Sequence, residues 1–268
     1  MSSAPTTAPA ASPYTRWVPA FQYWLTNYTR SWRGTGISGL IGPVFFLLAM
    51  GFGLGALVDR GSGGVDGMGY LTFVAPGILA AQAMQTAVSE STFPVMGGHK
   101  WFRIYFAMTA TPLESRDVLL GHLAFVAMRV TMTSVAFALV AVVFGAMSVV
   151  WVVAGVIAAV LTGLAFVTPV FTYSIRQDSE SGFNVLFRFI VMPMFLFAGV
   201  FFPHDRLPTV LEWVAMATPL WHGVDLTRGL VLETISAPVA LGHVGYLLVW
   251  IVGGFVAASV AFRKRLVS

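Results

Sequence analysis

The glycine-rich and histidine-bearing segments are where this sequence could hold catalytic or nucleotide-binding chemistry. Gly61–Gly64 and Gly97–Lys100 both lack the G-x-x-x-x-G-K-[ST] spacing that cradles nucleotide phosphates. The five histidines are scattered, and none stands in the H-E-x-x-H arrangement of zinc hydrolases. The chain has no cysteine, which excludes thiolate chemistry and disulfides. The sequence therefore predicts no catalytic, metal or cofactor site in this chain.

One histidine–aspartate pair has the spacing of one helical turn. His222 and Asp225 are three residues apart, so a helix would bring both to one face. We interpret the pair as a surface hydrogen bond, with a metal or proton site as the alternative.

The composition indicates which elements must position any functional residues. Of the 268 residues 57% are hydrophobic and only 10% are charged, and the mean hydropathy is +0.81. Soluble domains carry roughly 25% charged residues, so this chain cannot cover a water-facing surface. The sequence predicts an all-α integral membrane protein.

Six apolar stretches are candidate transmembrane helices, each near the roughly 20 residues that cross a bilayer. They cover residues 37–58, 70–89, 118–144, 149–173, 183–202 and 239–262. Charged residues and prolines interrupt a further stretch, Leu207–Leu232, between spans 5 and 6. We expect two short re-entrant helices there, on the extracytoplasmic side.

The segment before the first span divides into two parts. Residues 1–13 are small, polar and proline-rich, and are predicted to be a disordered cytoplasmic tail. Residues 14–34 are predicted to form an amphipathic interfacial helix, and residues 35–268 the six-helix domain. The helix carries an aromatic stripe at helical spacing, which comprises Trp17, Phe21, Trp24, Tyr28 and Trp32. Packing of this stripe on neighbouring helices is an equally good interpretation.

The distribution of basic residues predicts the orientation. With a cytoplasmic N-terminus, ten lysines and arginines fall in inner segments and three in outer ones. The positive-inside rule therefore predicts a protein of the inner (plasma) membrane with both termini in the cytoplasm. Arg129 and Arg188 lie inside apolar stretches, and we interpret both as snorkelling towards the cytoplasmic surface.

A protease interpretation fails on this orientation. Gly36-Ile37-Ser38-Gly39 matches the G-x-S-G around the nucleophile of rhomboid intramembrane proteases, with His243 as a conceivable base. Ser38 enters the first span from the cytoplasm, whereas His243 enters the sixth from outside. About 30 Å of bilayer core would separate them, far beyond hydrogen-bond reach.

Two segments outside the spans carry a family resemblance. Residues 201–230 read phenylalanine pair, Pro203, polar residues, Leu-Pro208, an apolar helix, Pro219-Leu, and Asp225-Leu-x-Arg228. Residues 109–121 carry Thr-x-Thr-Pro-Leu and end in Leu-Leu-Gly-His. Together they resemble ABC-2 type exporter permeases, especially the branch of nodulation lipo-oligosaccharide and daunorubicin-type drug exporters.

The resemblance implies a permease subunit without catalytic residues. ATP and Mg²⁺ would bind a separate cytosolic ATPase subunit, and two identical or related permease protomers would form the pathway. Docking on the ATPase would involve the N-terminal helix and a short amphipathic helix before the third span; their candidate residues are Trp17, Trp24, Trp32, Leu113, Glu114, Arg116 and Asp117. The extracytoplasmic re-entrant gate would include Pro203, Pro208, Pro219, Asp225 and Arg228.

Two glycines of the first predicted span have a spacing that suits helix packing. Gly51 and Gly55 have small-xxx-small spacing, which permits close helix approach between protomers or within one protomer.

An apolar pathway suits drugs, lipids or lipid-linked saccharides. A stand-alone secondary transporter is the alternative function, but the two halves of the chain show no internal repeat and few mid-membrane charges.

Overall fold

A computed structural model describes residues 15–65, 67–203 and 206–267. The tail predicted over residues 1–13 lies outside them. The described residues form helices joined by turns, with no β-strand among them. This agrees with the all-α fold expected from the composition.

Twelve α-helices and three π-helical segments are described. The helices are α1 (Val18–Leu48), α2 (Ala56–Ser62), α3 (Tyr70–Glu90), α4 (Phe93–Met96), α5 (Ile104–Thr109), α6 (Ser115–Val143), α7 (Val152–Ser174), α8 (Ser181–Leu186), α9 (Met192–Phe197), α10 (Thr209–Met216), α11 (Pro219–Val231) and α12 (Ala237–Val267). The π-helical segments are Ala49–Gly55, Gly97–Trp101 and Phe187–Val191.

Among the described residues, five helical stretches are long and apolar enough to cross a membrane. They are Val44–Gly61, Tyr70–Trp101, Ser115–Val143, Val152–Ser174 and Ala237–Leu266. The fifth predicted span, 183–202, corresponds to the shorter apolar stretch Ser181–Phe197. At 1.5 Å per residue this stretch rises about 25 Å, less than a bilayer core of about 30 Å. Six full-length spans are therefore only partly confirmed.

The predicted interfacial helix and first span form one helical run. The run is continuous from Val18 through α1 and the π-helical segment to Ser62, with no break near residue 34. Position in a membrane surface stays a prediction, but the two elements are not separated by a turn.

Helix α7 is the centre of the bundle and packs against α3, α6, α11 and α12. A Cβ added at Gly163 of α7 would lie 2.6 Å from Val130 Cγ1 and 3.1 Å from the Ala83 carbonyl oxygen. A Cβ added at Gly254 of α12 would lie 2.8 Å from Pro169 Cδ. Such close approaches replace the hydrophobic driving force that helices lack in lipid.

One buried charge differs from the expectation. Arg129 is only 9% exposed and its Nε donates to Glu90 Oε1 at 2.9 Å. Its guanidinium carbon lies 4.4 Å from the centre of the Tyr28 ring. The snorkelling interpretation of Arg129 is therefore wrong, because the side chain joins α1, α3 and α6 inside the bundle.

The adjacent glycines 253 and 254 test the packing of α12 on α7. Gly254→Ala would push a methyl group into Pro169, and overpacking costs about 1–3 kcal/mol. A Cβ at Gly253 meets nothing within 4 Å, so Gly253→Ala should be neutral or stabilising. Thermal unfolding in detergent should show a lower midpoint for Gly254→Ala only. Equal midpoints would contradict this account of the α7–α12 contact.

Candidate functional site

Four of the residues predicted to dock on an ATPase lie at the start of α6 or immediately before it. The backbone N–H of Glu114, the N-cap residue, donates to Asp117 Oδ2 at 3.0 Å. This half of a capping box stabilises the helix start, and Asp117 is buried. The expected short helix over Leu113–Asp117 is wrong: Leu113 and Glu114 precede α6, which runs unbroken from Ser115. Arg116 in the first turn is exposed.

Glu114 connects this turn to the N-terminal segment. Arg16 Nη1 donates to Glu114 Oε1 at 3.3 Å, and the Glu114 side chain is 72% exposed. Ion pairs this exposed contribute about 0–1 kcal/mol to stability. The carboxylate therefore stays accessible to a binding partner.

The described side chains of the predicted aromatic stripe face the bundle: Trp24 is in the core, and Phe21 and Tyr28 pack against it. Trp24 is 7% exposed and stacks on His122 of α6, with ring centres 4.1 Å apart. His122 Nδ1 in turn contacts the Tyr105 hydroxyl at 2.7 Å. Trp17 lies in the turn before α1 and makes an edge contact with Phe21 at 6.0 Å. Trp24 thus fits the packing interpretation, and the Trp32 side chain lies outside those described.

A second ion pair lies in the short loop between α7 and α8. Asp178 Oδ1 accepts from Lys100 Nζ at 3.0 Å and lies 3.6 Å from Arg265 Nη2. The hydrogen bond and charge of Lys100, followed by the charge of Arg265, hold the pKa of Asp178 below its ordinary value. The loop thereby fastens the π-helical segment after α4 to the end of α12.

The opposite end of the bundle holds the proline-rich segment. The predicted pair of short helices is confirmed as α10 and α11, although their membrane depth stays a prediction. Pro208 immediately precedes α10 and Pro219 is the first residue of α11, where a missing N–H costs nothing. Pro203 lies in the turn after α9.

Arg228 of α11 fastens three elements together. Its Nε donates to the Phe73 carbonyl of α3 at 3.0 Å. Its Nη2 donates to the carbonyls of Gly199 at 2.8 Å and Val200 at 3.2 Å, in the turn after α9. Its guanidinium carbon lies 3.9 Å from the centre of the Phe73 ring. A planar fork suits this role better than a lysine.

Asp225 lies one turn before Arg228 and faces α12 instead of α3. Its Oδ2 is 3.0 Å from His243 Nε2, and His243 Nδ1 is 2.8 Å from His222 Nδ1. His222 and Asp225 therefore interact through His243, not as the isolated surface pair we expected. Since two nitrogens face each other, one must carry the proton that the other accepts. Within the described chain no three His, Asp or Glu side chains are arranged to hold a metal ion.

The two candidate packing glycines contact their own chain. A Cβ at Gly51 would lie 3.3 Å from Leu71 Cδ2, and one at Gly55 would lie 3.8 Å from Tyr70 Cδ1. Both glycines thus face the start of α3. This favours packing within one protomer.

Sequence reasoning missed the partners of several of these residues. It singled out Arg228 and Asp225 but not the Phe73 carbonyl or the link to His243. It also missed the Glu90–Arg129 pair. The available signal was charge inside apolar stretches, which predicts internal partners but does not name them.

The geometry defines the class of protein. Several apolar helices form a polytopic membrane protein whose two ends carry different polar clusters. A family model described as ABC-2 type transporter matches residues 20–232. The chain belongs to the ABC-2 type transporter family, which confirms the resemblance in its sequence.

Curated relatives extend over most of the chain. It is 30% identical to Nodulation protein J of Rhizobium leguminosarum bv. viciae, over 91% of this chain and 93% of the relative. It is 31% identical to Nodulation protein J of Bradyrhizobium diazoefficiens, over 91% and 92%. Identity to Nodulation protein J of Rhizobium meliloti is 28%, over the same shares. The chain is therefore a multi-pass membrane subunit of a transporter.

Arg228→Lys tests the three contacts that Arg228 makes with α3 and with the turn after α9. Lysine keeps the charge but loses the fork, which leaves carbonyls unpaired at about 1–3 kcal/mol. We expect a lower unfolding midpoint in detergent. Arg206→Lys is the matched control because Arg206 is exposed in the neighbouring turn. If both variants unfold with the midpoint of the unaltered chain, Arg228 does not hold these elements together.

Proposed function

We propose that this chain is the permease subunit of an ATP-driven exporter. It works with a separate cytosolic ATPase that binds ATP and Mg²⁺, and with a second permease protomer. The family match over residues 20–232 carries the proposal. The ATPase is proposed to be a separate chain because this sequence contains no phosphate loop of its own. The energy for transport must then come from differential contacts of the ATPase with two permease states.

In the proposed arrangement the chain crosses the inner membrane six times with both termini in the cytoplasm. Ser181–Phe197 is the fifth crossing, and α10 and α11 dip into the membrane from outside. Contacts at one end of the bundle support this orientation. Arg16 with Glu114, and Lys100 and Arg265 with Asp178, join segments that the charge distribution assigns to the cytoplasm.

The ATPase docks on the start of α6 in this proposal. Glu114 and Arg116 are exposed there, and Leu113 is half-buried beside them. Asp117 and Trp24 are buried, so they position the docking surface and do not touch the partner. Trp17 lies close by, at the start of α1.

The outer gate is assigned to the proline-rich segment. Arg228 fastens α11 to α3, and Asp225 links it to α12 through His243. The short helices are delimited by prolines: Pro203 and Pro208 precede α10, and Pro219 begins α11. Substrate leaves past this segment, and hydrophobic or amphipathic molecules such as drugs, lipids or lipid-linked saccharides are the proposed cargo.

Reconstitution with a candidate ABC ATPase from the same organism tests the function. We expect vanadate-sensitive ATP hydrolysis and transport that require both proteins. A permease lacking its partner should transport nothing. If the purified chain alone moved substrate on a proton gradient, the alternative of a secondary transporter would replace this proposal.

A charge swap tests whether Glu114 contacts the ATPase. Glu114→Arg should lower ATP-driven transport several-fold while leaving membrane insertion unchanged. Combining it with Arg16→Glu restores the internal ion pair but not the surface charge that the partner meets. The double variant should therefore remain impaired. Full recovery of transport in the double variant would show that Glu114 acts only through Arg16.

A further inference from the structure

A groove lies between the start of α6 and the end of α12. Its volume is about 760 Å³. Thr109, Ser115 and Ser259 supply hydroxyl groups to its wall, and Leu119 and Val260 supply apolar surface. The wall of the groove therefore presents both hydroxyl groups and apolar side chains.

A second cavity lies beside this groove, between α6, α7 and α12. It measures about 360 Å³ and shares Phe255 with the first. Its lining is almost wholly apolar, with Leu120, Ala124 and Ile251 among its residues. Trp17 also lines it. Phe255 therefore borders both a groove with charged and hydroxyl groups and a neighbouring cavity that is almost wholly apolar.

The mouth is positively charged. Arg116 and Arg263 line it from α6 and α12, and both are exposed. Glu114 is the acidic residue of the lining, and its carboxylate is paired with Arg16 at 3.3 Å. The lining thus carries two arginines and one glutamate that is already paired with Arg16, which leaves an excess of positive charge at the mouth.

We propose that this groove binds an anionic glycerophospholipid of the inner leaflet. Arg116 and Arg263 hold the phosphate, and an acyl chain occupies the apolar cavity past Phe255. Basic pockets between membrane helices on the cytoplasmic side recognise anionic headgroups in this way, and arginine pairs well with phosphate. The inference rests on the membrane orientation given under the proposed function, but not on ATP-driven export. It adds a lipid site between α6 and α12 whose headgroup end shares Arg116 with the proposed ATPase-docking turn.

Lipid binding to the purified full-length chain is the direct test. Native mass spectrometry would compare phosphatidylglycerol with phosphatidylcholine carrying the same acyl chains. We expect preferential binding of phosphatidylglycerol, weakened about tenfold or more in the variant Arg116→Gln/Arg263→Gln. The variant Arg60→Gln/Arg188→Gln loses the same charge at exposed positions outside the groove, and should bind normally. Equal affinity for both lipids, or equal loss in both double variants, would overturn the proposal.

Photo-cross-linking identifies the occupant of the groove in the membrane. A benzoylphenylalanine at position 256 replaces Val256, which lines the groove and is exposed. We expect an adduct with phosphatidylglycerol in vesicles made from phosphatidylglycerol and phosphatidylcholine. Cross-links only to a second copy of the chain or to the ATPase would assign the groove to a protein interface instead. Neither assay uses ATP, so failure of lipid binding is distinguishable from failure of export.

Discussion

A charged side chain inside this bundle must find its partner within the chain, because lipid hydrocarbon offers none. This constraint explains where the buried charges lie. Arg129 meets Glu90 across α6 and α3, and Arg228 meets backbone carbonyls of α3 and the turn after α9. Each contact joins elements that are distant in sequence. Apolar packing alone, which is nearly as favourable against lipid, would not fix their mutual positions.

The elements that local sequence determines were predictable. Hydropathy indicated four of the long spans within a few residues, and prolines marked the starts of α10 and α11. Partners were not predictable, because Glu90 and Arg129 meet only after two helices pack. The short fifth stretch was also extended too far: Gly199, with a positive φ of 79°, lies in the turn after α9, where hydropathy alone shows no boundary. At the candidate site, Glu114 and Asp117 were recognisable as residues of a helix start, but the burial of Asp117 was not.

The two ends of the bundle differ in the way that the proposed transport cycle requires. At the α6 start, Glu114 and Arg116 are exposed and weakly held, which suits a surface that a second protein engages repeatedly. At the other end, Arg228 and His243 hold α11 against α3 and α12 through short contacts. Helix α12 runs between the two ends, with His243 near its start beside Asp225 and Arg265 near its end beside Asp178.

Helix α12 also has a large surface that the rest of the chain leaves uncovered. One face is held tightly, since Gly254 packs against Pro169 and Thr168 Oγ1 donates to the Ile251 carbonyl at 3.2 Å. The other face exposes Val249, Val252 and Val256, which in a membrane protein must contact lipid or another protein. The proposed phospholipid groove lies along α12 and uses Arg263 near its end. A lipid bound there would contact α6 and α12 at once, the helices that carry the proposed docking turn and the link to the outer gate. Its occupancy would therefore bias the relative position of these helices, provided that it binds one arrangement better than the other.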